Sequence, residues 1–365
     1  MPNAQLTAVR FEPSMEHISP NEAENCAALI ETLRSISSTT FAHSGHATRA
    51  VHAKSHGVLR GKLTVLPGLP AQLARGLFSK PADYNVAMRL STLPGDILDD
   101  SVSTPRGLAI KVIGVEGPRL PGSENDTTQD FVLVNGPAFS APTAEAFLGS
   151  LKTLAKTTDK AEGLKKVASA IARGTEAVLE AFGHKSPTLL TMGGQPQTHI
   201  LGETFYSQTP FLYGDYIAKI AVAPISSRLT ALTGQKLDMS GKPNALRQAV
   251  EEFFDLNDAE WEIRVQLCTD LKTMPIEDAT VVWPEDQSPY VAVARITVPS
   301  QNAWSAGGVA EIDEAMAFSP WHGIAAHRPL GSVNRARNNT YTSSADYRAT
   351  QNGCPIHEPS RQRVG

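Results

Sequence analysis

The sequence predicts an α+β domain wrapped around a central antiparallel sheet or barrel. Two observations carry this. Short strand-like segments, punctuated by Gly, Pro and Asp, fill two blocks of the chain. Helical segments flank and separate those blocks, and no repeat, low-complexity tract or linker divides the whole.

Taken in order, "SPNEAENCAALIETLRSISSTTF" opens on a capping box, Ser19 with Glu22, and predicts a helix of about 14 residues ending near Ser37. The segments "GKLTVLP", "NVAMRLST", "GLAIKVIGV" and "DFVLVNG" then read as strands. Residues 143–182 read as helical, with "AEGLKKVASAIARGTEAVLEAF" strongly amphipathic. "DYIAKIAVAPI", "EWEIRVQLCTD" and "YVAVARITVP" return to strand pattern, and from Ala310 onward the chain is loop-rich and then helical. Residues 1–40 read as an N-terminal helical arm and 41–365 as one core.

Composition limits the function classes. Of 365 residues, 41% are apolar and 19% charged, a globular balance. A net charge of −4 without a long Lys/Arg run gives no footprint for nucleic acid. No apolar stretch reaches the length of a membrane span, and the first residues lack the pattern of a signal peptide. Three scattered cysteines, Cys26, Cys268 and Cys354, suggest a reducing compartment, with the cytoplasm as the expected location.

The stretch "HSGHATRAVHAKSH", residues 43–56, concentrates chemistry. Read as a strand, Ala50, His52 and Lys54 share one face while Arg49, Val51 and Ala53 share the other. His52 and Arg49 then point apart, suited to the face and the acidic edge of a flat ligand. The plainer reading of this stretch alone is a satisfied core histidine beside a solvated arginine. A third reading is a metal cluster of His43, His46, His52 and His56, but an extended strand separates His52 and His56 by about 13 Å.

Far along the chain, Arg337 precedes Tyr341 by four residues and Arg348 follows it by seven, so all three share a helix face. A guanidinium beside a phenol favours the phenolate, a hard ligand for ferric iron, whereas the plainer reading of these residues alone is a basic amphipathic helix with an ordinary half-buried tyrosine.

Together, Arg49-x-x-His52-Ala53-Lys54, "RLST" at Arg89, "PRGLAIK" at Pro105, "WEIRVQLCTD", Trp283-Pro284, "AFSP" and Arg337-x-x-x-Tyr341 resemble the catalase superfamily over residues 41–348. The chain is most similar to the short catalase-like haem peroxidases. It ends seventeen residues after Arg348, where full catalases continue into a helical domain. The resemblance implies an eight-stranded antiparallel barrel with flanking helices around haem b. It implies that His52 is the distal acid-base, Ser91 its orienting partner and Tyr341 the iron ligand, with Arg337 beside the phenolate. It also implies propionate contacts from Arg49, Arg89 and Arg348, and haem packing by Val51, Phe139 and Phe318. The expected partners are a peroxide and an organic electron donor, with no nucleic acid and no membrane span, in a homo-oligomer.

Three positions depart from the family pattern. The distal asparagine aligns with Asp126, or with Asn125 after a one-residue shift, and Gln129 is a further possible donor. The channel aspartate is Thr104, and the histidine four after the proximal tyrosine is Ala345. All three touch peroxide access, pose or haem contact, so peroxidatic chemistry is expected to exceed catalatic chemistry. A fatty-acid hydroperoxide isomerase of the allene oxide synthase kind is the alternative enzyme, and a non-catalytic haem binder the alternative outside enzymes.

Overall fold

Apolar alternation across the strand segments drives the architecture, because one face of each strand must leave water. The computed structural model describes residues 7–155 and 195–359. Its strands are β1 Ser55–Val65, β2 Asp83–Thr92, β3 Arg106–Ile113, β4 Thr128–Val134, β5 Phe205–Tyr206, β6 Phe211–Tyr213, β7 Tyr216–Pro224, β8 Ala259–Leu267 and β9 Val291–Val298. Every pairing is antiparallel, in the order β5-β4-β3-β2-β1-β9-β8-β7, and β7 closes back onto β5. This is the eight-stranded barrel that the resemblance implied, with β6 added as a hairpin arm on β7.

Alternate residues fill its interior: Leu59, Met88, Ile110, Phe131, Val222 and Ile263 belong to one continuous buried cluster. The outer face of β1–β4 carries the intervening residues. There Val58 and Ala87 pack with Ile312, Met316 and Phe318 of a covering segment that contains a π-helical turn, Val309–Glu314.

The main helices are α1 Glu22–Ser44, α2 Ala144–Ala155, α3 Ala245–Phe254 and α4 Ser332–Asn352. α1 is 23 residues long and runs to Ser44, past the expected end near Ser37 and through residue 40 without a break. Thr32, Ser38 and Ser44 donate their hydroxyls to carbonyls four residues back, which satisfies them inside the helix. Leu29 and Ile36 pack with Leu148 and Leu151 of α2 and Ala336 of α4, and Gly45, at φ 68°, ends the helix. The expected capping box does not form. Asn21 is the N-cap residue, with no side-chain cap bond, and the Glu22 carboxylate is taken by Arg335 instead. The expected helix over 143–182 is described as α2; residues 156–182 lie outside the described residues. Among the described residues no helix is long and apolar enough to cross a membrane.

Arg335, near the start of α4, ties the N-terminal arm to the core. It donates to both Glu22 oxygens at 2.7 and 2.8 Å, to Glu16 at 2.7 Å and to Glu277 at 2.9 Å. Burial pushes the Glu16 carboxyl up, but the Gly331 N–H and Arg335 outweigh it and hold it below its ordinary value of 4.5. Its contribution to stability is therefore complete above that pH and is lost as pH falls through the lowered value. Replacing Arg335 with Met strands three half-buried carboxylates. An unfolding free energy lower by about 2–4 kcal/mol in urea titration is expected.

Candidate functional site

The site lies between the outer face of β2–β4, the segment 47–52, the π-turn and one face of α4. Its first element departs from the expected geometry. Residues 48–54 form a bend rather than a strand, and β1 begins only at Ser55. The His52 amide donates to Leu93 O at 2.7 Å and the Ala53 amide to Pro94 O at 3.0 Å, which holds His52 at a positive φ of 56°. Strand alternation therefore does not apply here, though His52 and Arg49 still reach different partners.

His52 Nδ1 is hydrogen-bonded to Ser91 Oγ at 3.1 Å. The ring lies against Gly107, where an added Cβ would stand 2.5 Å from Nδ1 and 2.8 Å from Ser91 Oγ. Ser91 and Gly107 are register partners on β2 and β3, so the barrel itself aims this seat. His52 is half-buried. Burial, then Arg89, Arg337 and Arg49, lower its pKa to about 3. The imidazole is neutral at pH 7, as a proton acceptor must be.

Arg49, Arg89 and Arg348 converge on the π-turn. Arg49 Nη1 and Arg89 Nε donate to the same oxygen of Asp313, at 2.9 and 2.6 Å. Arg348 donates to the backbone carbonyls of Asp313 and Met316, and Arg49 Nη2 also to Met316 O. Burial pushes the Asp313 carboxyl up, but Arg89, Arg49 and Arg348 together hold it below the usual range. Burial, with the neighbouring Arg89 and Arg348, pushes Arg49 well below its ordinary value.

On α4, Arg337, Tyr341, Ser344 and Arg348 share one face. The Ala50 amide donates to Ser344 Oγ at 3.4 Å, which turns that face toward segment 47–52. Tyr341 is half-buried. Arg337 Nη1 donates to Thr209 Oγ1 and Asn334 Oδ1, and its guanidinium lies 5.5 Å over the Phe139 ring. Its bonds thus go to these groups rather than to the Tyr341 phenol.

Val51 and Phe139 are half-buried, and Phe139 stacks on Phe147 at 5.0 Å. Phe318 packs on Ala87 and Val58, with Lys111 Nζ 5.5 Å over its ring.

The distal amide candidates lie elsewhere. Asn125 and Asp126 sit in the β3–β4 connection, just before Thr128 pairs with Ile113. That is six residues along β3 from Gly107, about 20 Å from the His52 seat at 3.3 Å per residue. Gln129 accepts from the Ile324 amide and donates to Asp130 O. None of the three meets His52. Thr104 is buried, and among the described residues its Oγ1 has no hydrogen-bond partner. Ala345 is half-buried on α4.

The four histidines of residues 43–56 do not converge. His46 pairs with Glu314, and His56 is fully buried against Thr92. Among the described residues no group of three or more His, Cys, Asp or Glu could hold a metal ion. Lys54, expected on the His52 face, is buried with Asp100 at 2.7 Å.

Two features escaped the sequence reading. Asp313 carries no signal beyond its acidic surroundings, and Gly107 lay unremarked inside "PRG". Beyond the site, Lys111 and Asp130, both fully buried, pair at 2.8 Å and also hold the C-terminal tail through Glu358, 2.6 Å from Lys111 Nζ. His322 approaches both carboxylates at 3.3 Å.

No family model and no curated protein matches the chain. Solved structures do. Catalase A from Saccharomyces cerevisiae superposes with a TM-score of 0.57 at 18% identity, over 86% of this chain and 63% of that one. A fungal catalase matches at 0.57 and 17%, over 90% and 67%, and a bacterial catalase at 0.56 and 15%, over 96% and 64%. The fold is catalase-like, and the chain spans about two-thirds of the length of these catalases.

Two outcomes follow from the His52 seat. In proton-detected titration the His52 ring stays unprotonated from pH 8 to pH 5. Because its folded pKa of about 3 lies below the ordinary 6.5, its stability contribution is full above 6.5 and declines as pH falls toward 3. Gly107→Ala forces the ring off Ser91 and destabilises the fold by about 1–3 kcal/mol, seen as altered His52 imidazole shifts with a lowered urea midpoint.

Proposed function

We propose that the protein is a haem-dependent peroxidase of catalase-like type, acting on hydrogen peroxide or organic hydroperoxides with weak catalase activity. The observation that carries this reading is the neutral His52, fixed to Ser91 over Gly107, two residues along β2 from Arg89 of the arginine cluster. The residues fit haem b. Two buried guanidiniums and the half-buried one of Arg49 suit its propionates, the Gly107 cradle leaves room for the histidine ring, and Tyr341 offers a phenol with no protein partner among the described residues.

In this reading Tyr341 ligates the iron through its phenolate, and Arg49, Arg89 and Arg348 hold the propionates. Val51, Phe139 and Phe318 pack the ring edges. The bound haem supplies iron that a peroxide oxidises and an organic donor reduces. His52 accepts the proton of a hydroperoxide at its free ring nitrogen and returns it to the departing oxygen. Ser91 fixes the ring so that the same nitrogen serves both transfers. Burial, then Arg89, Arg337 and Arg49, keep that nitrogen unprotonated between turnovers. Dismutation needs a second peroxide held in a defined pose, and neither Asn125, Asp126 nor Gln129 stands at His52 to hold it. Donor oxidation lacks that requirement, so it dominates.

The test is a visible spectrum of purified protein with hemin. A Soret band that changes on adding peroxide is expected, and its absence overturns the reading. Tyr341→Phe loses haem or changes its spectrum. His52→Ala keeps haem but reacts with peroxide about 10²–10⁴ times more slowly. Oxygen evolution at a full catalase rate with negligible dye oxidation would instead make the protein a small catalase.

A further inference from the structure

Asp313 has no assigned role, yet it sits where the arginine cluster closes. Its carboxylate takes Arg49 and Arg89 directly, and its carbonyl takes Arg348. Its side chain is 12% exposed and that of Arg89 is 2% exposed, so the pair lies in a poorly screened interior. Three guanidiniums and one carboxylate leave the cluster at 3 − 1 = +2. The adjacent Glu314 pairs with His46 at 3.1 Å and is 37% exposed, and it acts on Arg49 and Arg348 more weakly than Asp313 does. An excess of positive charge in the interior is the complement of a ligand that carries carboxylates. Arg49, Arg89 and Arg348 come from three separate parts of the chain, and without a central anion they would repel one another apart.

We propose that Asp313 is the resident counter-ion of this cluster: it holds Arg49 and Arg89 in place in the ligand-free protein and leaves an excess of positive charge that accepts a ligand carrying carboxylates. The ligand's identity rests on the haem reading above, whereas the counter-ion role does not. Asp313 is thus a positioning residue, acting through the arginines. A ligand without carboxylates leaves that excess of charge buried and unpaired.

The experiment compares wild type, Asp313→Asn, Arg49→Gln and the double variant, each by melting without ligand and by titration with haem and with haem dimethyl ester. Asp313→Asn is expected to lower the ligand-free melting temperature by at least about 5 °C. The double variant, which removes one positive charge together with the negative one, regains most of that loss. This rescue is what a merely structural aspartate would not give. It also keeps the test open if Asp313→Asn alone fails to fold. Added haem raises the melting temperature of Asp313→Asn more than that of wild type, because the ligand's carboxylates replace the missing anion. Wild type binds haem at least tenfold more tightly than the dimethyl ester, and Arg49→Gln narrows that preference. An unchanged ligand-free melting temperature in Asp313→Asn, or no rescue in the double variant, overturns the counter-ion role. Equal binding of haem and its ester to wild type overturns the carboxylate match. A wild type that gives no Soret band with either compound overturns the haem reading and the ligand match with it, and the melting comparison then decides the counter-ion role alone.

Discussion

Buried guanidiniums cannot lie side by side without an anion among them, and the whole site is arranged around that requirement. Arg49 arrives from the bend after α1, Arg89 from the middle of β2 and Arg348 from the last turns of α4. They meet where the π-turn brings Asp313 and its neighbouring carbonyls inward. A π-turn widens a helix by one residue per bond, and here it presents several acceptors to one cluster. Removing the π-turn would leave all three guanidiniums without the carboxylate among them. The same positive field reaches His52 and, with burial, keeps its imidazole neutral. One set of charges therefore both ties the covering segment down and sets the protonation state of the histidine.

The barrel supplies direction. Its interior is closed by apolar packing, so chemistry falls to the outer faces of β2–β4, where the residues between the core positions point. Arg89 and Ser91 lie two apart on β2, and Ala109 and Gly107 stand opposite them on β3. A rigid two-residue repeat thus spaces the histidine seat from the arginine cluster. Gln208, at φ 62°, donates to Gly136 O and Ala138 O and braces the approach to Phe139 from the other side.

Much of this was legible in the residues. Strand segments with apolar interior positions and Gly or Pro ends gave the long strands close to their observed places, whereas β5 and β6, at two and three residues, are too short to show a period. The pairing of "RLST" with the histidine stretch appears as the Ser91–His52 bond. What failed, failed for local reasons. Val51 and Ala53 suggest extended chain, but the bend is decided by Leu93 O and Pro94 O capturing two amides, partners some forty residues away. The connection from Ile113 to Thr128 sets how far Asn125 and Asp126 lie from the seat, and matching on Phe131 and Phe139 is blind to that register. Asp313 stands among Glu311 and Glu314, and only the π-turn selects which of the three faces inward.

The tail contact has a consequence for the order of assembly during synthesis. Lys111 and Thr128 precede Glu358, their shared partner, by 247 and 230 residues. β3 and β4 precede the covering segment in the chain, so both partners of the Lys111–Asp130 pair are synthesised before Glu358. The His357 amide donates to Ala315 O and Glu358 reaches Lys111, so the segment that covers this flank, beside Phe318 and the π-turn, is synthesised after every strand of the barrel.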